Sequence, residues 1–343
     1  MATIHDVAKY AGISIATVSR ALNKPEMVNA ETLERVMHAA RKLNYFKNDA
    51  KLQNVKNNKV SLGVIFPHIT SYYFGELYSG ISRAAQQHNI DLVLYELRNE
   101  NISKQGLEEA FAFSKRHMVD GILLARNVPT AYDEAFERLD IPVALLLGTH
   151  ESAKLPAFKV DDIRASFDAV SFLVSRGHRQ IGMISLPPTD QMSDIVSRLR
   201  GFKQALDFYQ LPFDEASVAY GNLRFDDGYS AMKELLASRE KTGITAVFTV
   251  ADEVAIGAMR CIQDAGLSVP EDISVIGFGN LSIANISTPK LTTVEQPFGN
   301  IGEEGVKYMA KVLSNPDHVE KGNFYLPYKI IERESVTERR ALR

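Results

Sequence analysis

Arg20 has the setting that offers the most chemistry in this chain. It lies on a stretch, Ser14 to Asn23, that reads as a short helix, and Ala16 and Arg20 stand one turn apart on its outward side. An arginine presented this way donates two parallel hydrogen bonds to guanine O6 and N7, a contact that discriminates bases by roughly 1–3 kcal/mol. Ile15 and Ala16 offer only apolar contact, for instance to a thymine methyl. Ser14, Thr17, Ser19 and Asn23 suit phosphate or sugar oxygens, which position a protein without specifying sequence. Helix capping accounts for Ser14 equally well. An arginine on an exposed helix face is also an ordinary solvated side chain, so its surroundings decide the reading.

The elements that must present Arg20 are legible beside it. Ile4, Val7, Ala8 and Ala11 recur at helical spacing, and Thr3 with Asp6 has the form of a capping box. Gly12 supplies a tight turn. Ser14 then starts a second helix whose Val18, Ala21 and Leu22 face inward, leaving Ile15, Ala16 and Arg20 outside. Asn29 caps a third helix, Ala30 to Leu43, in which Leu33, Val36, Met37 and Ala40 close a small core and on which Tyr45 packs. In a helix-turn-helix the N-terminal part of the second helix meets base edges in the major groove.

Beyond a polar, Asn- and Lys-rich stretch, Asn48 to Lys59, β-rich runs alternate with helical ones. SLGVIFP, DLVLYEL, DGILLAR and IPVALLL form one series. A second runs through helix 163–175, strand 181–186, helix 194–209, strand 246–250, helix 253–265 and strand 273–278. Repeated βα units imply parallel sheets with helices on both faces, in two lobes, and ligands in such folds sit beyond the carboxyl ends of the strands.

At 343 residues and 45% hydrophobic content the chain can bury substantial cores. Its net charge of −3 is unevenly placed: residues 1–60 hold ten Lys+Arg against five Asp+Glu, a net of +5, and the remainder carries −8. The basic segment gains phosphate contacts through counterion release, while the acidic body discourages unspecific nucleic-acid binding. One cysteine, Cys261, excludes an intrachain disulfide and reads as a buried, inert thiol on an amphipathic helix. The start, MATIHDVAKY, has no secretion-like apolar stretch and no later run is long enough to cross a bilayer, so a cytoplasmic location is expected.

The runs DVAKYAGISIATVSRALN and VNAETLERVMHAARKLNY closely resemble the headpiece of the LacI/GalR family of bacterial transcriptional regulators, and weaker similarity continues through the rest of the chain. The resemblance implies a helix-turn-helix headpiece at 1–47, a hinge or linker at 48–59, and an α/β body of periplasmic-binding-protein type with parallel sheets and three crossovers between two lobes. Crossings are expected near Asp161, Lys290 and Lys321. They would place 60–161 plus 291–320 in the lobe nearer DNA and 162–290 plus 321–343 in the distal lobe.

In the family a hinge leucine wedges into the minor groove; here Asn54 occupies that position. Leu52 or Val55 fits the wedge in another register, and Lys51 and Lys56 reach phosphates, although a merely solvated linker explains the same residues. Two headpieces on a symmetric homodimer are expected to read a pseudo-palindrome, and with IIERESVTERRALR carrying no added leucine heptads the tetramerising tail of some relatives is not expected.

The resemblance also places effector contacts between the lobes, at Tyr72, Tyr73, Arg198, Asp252 and Gln296, with His68 and Arg126 at strand ends facing the cleft. Aromatic faces stack on a sugar ring, while Arg, Asp and Gln bond hydroxyls directionally. Alternatives stay open: Tyr72 and Tyr73 as the start of a core helix, Asp252 as a helix cap, Gln296 as a solvated strand end. Two carboxylates common in relatives are absent, replaced around Leu147–Gly148 and in Gly277-Phe278-Gly279-Asn280, which favours an acidic or phosphorylated sugar.

Together these features imply a repressor that binds double-stranded operator DNA, controls carbohydrate-utilisation genes, needs no cofactor, and is tuned by a small molecule that shifts lobe arrangement. A regulator whose degenerate cleft answers to a partner protein is a second reading. An enzyme lacks support, since phosphate loop, nucleophile elbow and metal-ligand spacing are all missing, and the adjacent pairs Asp161-Asp162 and Asp226-Asp227 fit loop or cap roles. A solute-binding transport component would need a secretion signal and no basic headpiece.

Overall fold

Local signals and element ends coincide first in the N-terminal unit. The computed structural model describes residues 3–23, 27–43, 45, 59–67, 72–97, 104–187 and 193–339. The chain divides into two units, 1–59 and 60–343. In the first, α1 (Ile4–Ala11), α2 (Ile15–Asn23) and α3 (Ala30–Lys42) close around Val7, Ala8, Val18, Ala21, Val36 and Ala40.

The second unit strings together β1 (Ser61–Phe66), α4 (Tyr72–Gln87), β2 (Asp91–Glu96), α5 (Lys104–Arg116), β3 (Gly121–Leu124), α6 (Asp133–Glu137), β4 (Val143–Leu146) and β5 (Pro156–Lys159). Then follow α7 (Asp162–Ser175), β6 (Ile181–Ser185), α8 (Ser193–Phe208), β7 (Val218–Tyr220), α9 (Phe225–Ala237), α10 (Arg239–Thr242), β8 (Ala246–Thr249), α11 (Asp252–Asp264), β9 (Ser274–Gly279) and α12 (Ser282–Ile286). The chain closes with β10 (Thr292–Glu295), α13 (Phe298–Ser314), β11 (Gly322–Tyr325) and β12 (Lys329–Ile331).

Two six-stranded sheets result. The sheet that begins with β1, called proximal because it comes first along the chain, runs β11-β5-β4-β3-β1-β2, and the other, called distal, runs β12-β10-β9-β8-β6-β7. All pairings are parallel except β12 on β10. Strands such as Leu62–Phe66 and Val143–Leu146 are buried on both faces, which is why they read as continuous apolar runs rather than alternating ones. Among the described residues no helix is long and apolar enough to cross a membrane.

The chain passes between sheets three times, but two passages fall later than expected. Residues 291–295 belong to the distal lobe, because Thr292–Glu295 pairs with Ile276–Gly279 of β9. The chain then enters the proximal lobe through α13, and residues 322–325 stay there, because β11 pairs with Pro156–Lys159 of β5. The return comes between Tyr325 and Lys329, the start of the strand that pairs with β10. The passages near Lys290 and Lys321 are thus corrected to the segments after Glu295 and after Tyr325. Strand partnership decides the lobe, and either sheet accepts these short segments.

Candidate functional site

Thr3 and Asp6 form the capping box of α1, and Gly12 ends that helix in the left-handed region at φ 64, which glycine adopts without a Cβ penalty. Arg35 of α3 donates from Nη2 to the Ala11 carbonyl at 2.7 Å, a cap that nothing local in the sequence announces. Ser14 Oγ accepts the Thr17 N–H at 3.1 Å and hydrogen-bonds Thr17 Oγ1 at 2.8 Å, so Ser14 caps α2. Asn29 caps α3 through the Thr32 N–H at 2.8 Å, and Tyr45 packs half-buried on the small core.

Val18 and Ala21 face inward with no room to spare, which turns the opposite face of α2 outward. There Ile15 is 40% exposed and Ala16 and Arg20 are also exposed. Thr17 and Ser19 flank this row half-buried, and Asn23 is the last residue of α2. The surface joins a long cation to two apolar side chains, the combination for reading base edges. Lys51, Leu52, Asn54, Val55 and Lys56 lie outside the described residues.

In the body, the carboxyl ends of both sheets meet where the chain first passes between lobes. Asp161 caps α7 by accepting the Arg164 N–H at 3.0 Å. Asp162, its first helical residue, is buried and receives Lys159 Nζ on one oxygen at 2.9 Å and Arg198 Nε on the other at 2.9 Å. Arg198, 6% exposed, also donates from Nη1 to the Val250 carbonyl at 2.6 Å and lies 3.9 Å over the Phe278 ring centroid. Its position is therefore fixed by three partners from α7, the end of β8 and β9. The roles of Lys159 and Asp162 were not legible in the Asp-Asp pair, since only folding brings Arg198 beside them.

Asp252 is reassigned. It is fully buried, its Oδ1 accepts the Thr293 hydroxyl at 2.5 Å, and its Oδ2 accepts the Leu281 N–H at 2.7 Å. Ala251, not Asp252, is the cap position of α11. The carboxylate ties α11 to β10 and to the turn after β9, and both its oxygens are engaged. Gly277 makes this possible: a Cβ there would stand 2.4 Å from Asp252 Oδ1. Burial, the largest influence, lifts its pKa from 3.8 to about 6 against the opposing hydrogen bonds from Thr293 and Leu281.

The remaining expected contacts separate. Tyr73 is half-buried with one ring face stacked on Phe298 at 5.8 Å, and Tyr72 begins α4. Gln296 is buried directly after β10, its N–H donating to the Gly279 carbonyl at 3.2 Å, and is no solvated strand end. Arg126 follows β3 half-buried, and His68 lies outside the described residues. Cys261 is buried in α11, and burial pushes its thiol up, away from the reactive thiolate.

Residues 3–48 match the family described as bacterial regulatory proteins, lacI family, and residues 170–336 match a periplasmic binding protein-like domain. The HTH-type transcriptional regulator RegA of Clostridium acetobutylicum is 32% identical over 97% of this chain and 99% of its own. The lac repressor dimer bound to operator and the anti-inducer ONPF has a TM-score of 0.74 at 25% identity, covering 98% of this chain and 99% of that one. A complex of the transcriptional regulator CelR with cellobiose has a TM-score of 0.71 at 25% identity, covering 98% and 100%.

Proposed function

This chain belongs to the lacI family of bacterial regulatory proteins and is a DNA-binding transcriptional regulator rather than an enzyme, and on that premise we propose how it acts. Two copies, associated as a cytoplasmic homodimer, dock α2 into the major groove at the half-sites of a pseudo-palindromic operator and repress carbohydrate-utilisation genes. The observation that carries this reading is the outward row of Ile15, Ala16 and Arg20 on a helix whose opposite face is buried. Arg20 reads one guanine per half-site, and Ile15 and Ala16 add apolar contact.

A sugar derivative held between the lobes tunes operator affinity by preferring one lobe arrangement, a coupling of about 1–3 kcal/mol. Cellobiose in the CelR complex supports a sugar as the class. An acidic or phosphorylated sugar fits this cleft best, because Asp162 and Asp252 have both oxygens engaged by the protein and the Lys159–Asp162–Arg198 cluster sets two cations against one carboxylate.

Selection of bound sequences from random DNA, repeated with Arg20→Ala, tests the operator reading. Preference is expected to vanish at one guanine in each half-site, and an unchanged preference removes Arg20 as a reader. Titration calorimetry with neutral sugars and their phosphates tests the effector class. Tight binding of a neutral sugar with none of its phosphate would discard the anionic effector.

A further inference from the structure

The short segment after β9 belongs to the distal lobe by chain connectivity, yet much of what holds it comes from the proximal one. Ala284 of α12 is buried in the distal lobe's core, whereas residues 280 and 281 are held to that lobe by hydrogen bonds. The Leu281 N–H donates to Asp252, Arg333 Nη2 donates to Asn280 Oδ1 at 2.6 Å, and Asn280 Nδ2 donates to Glu295 at 3.1 Å. Asn280 sits at φ 57, so these bonds hold a turn that aims the next side chains away from their own sheet.

The Leu281 side chain, 7% exposed, is buried in the core of the proximal lobe with Leu77, Ile81 and Phe298, and Ile283 packs against the same core. Next to it, α12 begins with leucine at its N-cap and has no side-chain cap of its own. Glu76 of α4 in the proximal lobe reaches this end instead, its Oε1 accepting the Ser282 hydroxyl at 3.4 Å.

A leucine plug and a side-chain hydrogen bond thus both cross the lobe boundary, within two consecutive residues. We propose that residues 280–283 are an inter-lobe latch, in which Leu281 seated in the proximal core and Glu76 on Ser282 set the equilibrium between the lobe arrangement seen here and a more separated one. Any separation that moves α12 off α4 withdraws Leu281 into water and breaks the Glu76–Ser282 bond together, so the two losses occur as one event. A ligand between the lobes works against or with this bias, and the bias scales its apparent affinity without any contact between latch and ligand.

Single-molecule energy transfer on the full chain reads the latch directly. A Cys261→Ser background carries dyes at Glu108→Cys on α5 and Glu234→Cys on α9, and labelled chains are mixed with excess unlabelled protein so that each oligomer holds one labelled copy. Leu281→Ala is expected to raise the population of the separated arrangement at least tenfold. Glu76→Ala and Ser282→Ala are each expected to raise it a few-fold, and the double variant to change it no further than the stronger single, because both remove one contact. An unchanged distance distribution in folded Leu281→Ala, or single effects that multiply in the double variant, overturns the latch. Should Leu281→Ala fail to fold, the Glu76–Ser282 cycle decides alone. No DNA or sugar enters the measurement, so its failure leaves the operator reading untouched, and the reverse holds.

Discussion

Asp252→Asn is expected to stabilise the body at neutral pH and to leave its stability in acid unchanged. The carboxyl titrates near pH 6 in the fold, against an ordinary value of 3.8. A lift of about two units corresponds to roughly 3 kcal/mol of preference for the protonated form. Because the folded pKa is the higher one, this contribution is fully present below pH 3.8 and is lost as pH rises through about 6. At neutral pH the wild type therefore carries a buried charge at a cost of about 3 kcal/mol.

Asparagine keeps the geometry without that charge. Its oxygen accepts the Leu281 N–H, its NH2 donates to Thr293 Oγ1, and the Thr293 hydroxyl turns toward the Val294 carbonyl, 3.4 Å away. The long new bond returns part of the gain, leaving about 1–3 kcal/mol. Urea unfolding of the full chain, followed by circular dichroism at about pH 4.5 and about pH 7.5, measures it. Because pH 4.5 lies between 3.8 and 6, part of the wild type's acid stabilisation is already lost there, and the variant's midpoint should exceed the wild type's by clearly more at the higher pH. Equal midpoint shifts at both would refute the argument, since the buried carboxylate would then carry no ionisation cost. Asp252→Ala supplies the contrast: it leaves the Leu281 N–H unpaired, at roughly 1–3 kcal/mol, and the Thr293 hydroxyl only its long bond to the Val294 carbonyl, and the loss is greatest in acid.

Arg35→Ala removes the cap on the Ala11 carbonyl and should cost the headpiece about 1 kcal/mol, seen as a lower melting transition for the first unit by calorimetry. Arg198→Lys cannot hold Asp162 and the Val250 carbonyl while lying on Phe278. It should cost about 3 kcal/mol, at the low end for a broken buried pair because Lys159 stays on Asp162, and should weaken sugar binding at least tenfold by calorimetry.

The headpiece was legible in the sequence because its determinants are local. Thr3 and Asp6, Ser14 and Thr17, and Asn29 and Thr32 bond three residues apart, and helical spacing alone separates Val18 and Ala21 from Ala16 and Arg20. The alternation of strands and helices in the body was legible for the same reason. The lobe to which β10 and β11 belong was not, since a four-residue strand carries no mark of its partner and only pairing with Ile276–Gly279 or Pro156–Lys159 settles it.

Asp252 shows the boundary most sharply. Its place at the start of α11 follows from the local run, but its burial depends on Gly277, Leu281 and Thr293, which lie on other elements. Sequence periodicity specifies which side of an element is apolar, whereas the partner of a buried charge is chosen by non-local packing. The outward face of α2 was therefore determined by the sequence, and the wiring of the cleft and of the segment that spans the lobes was decided by the tertiary structure.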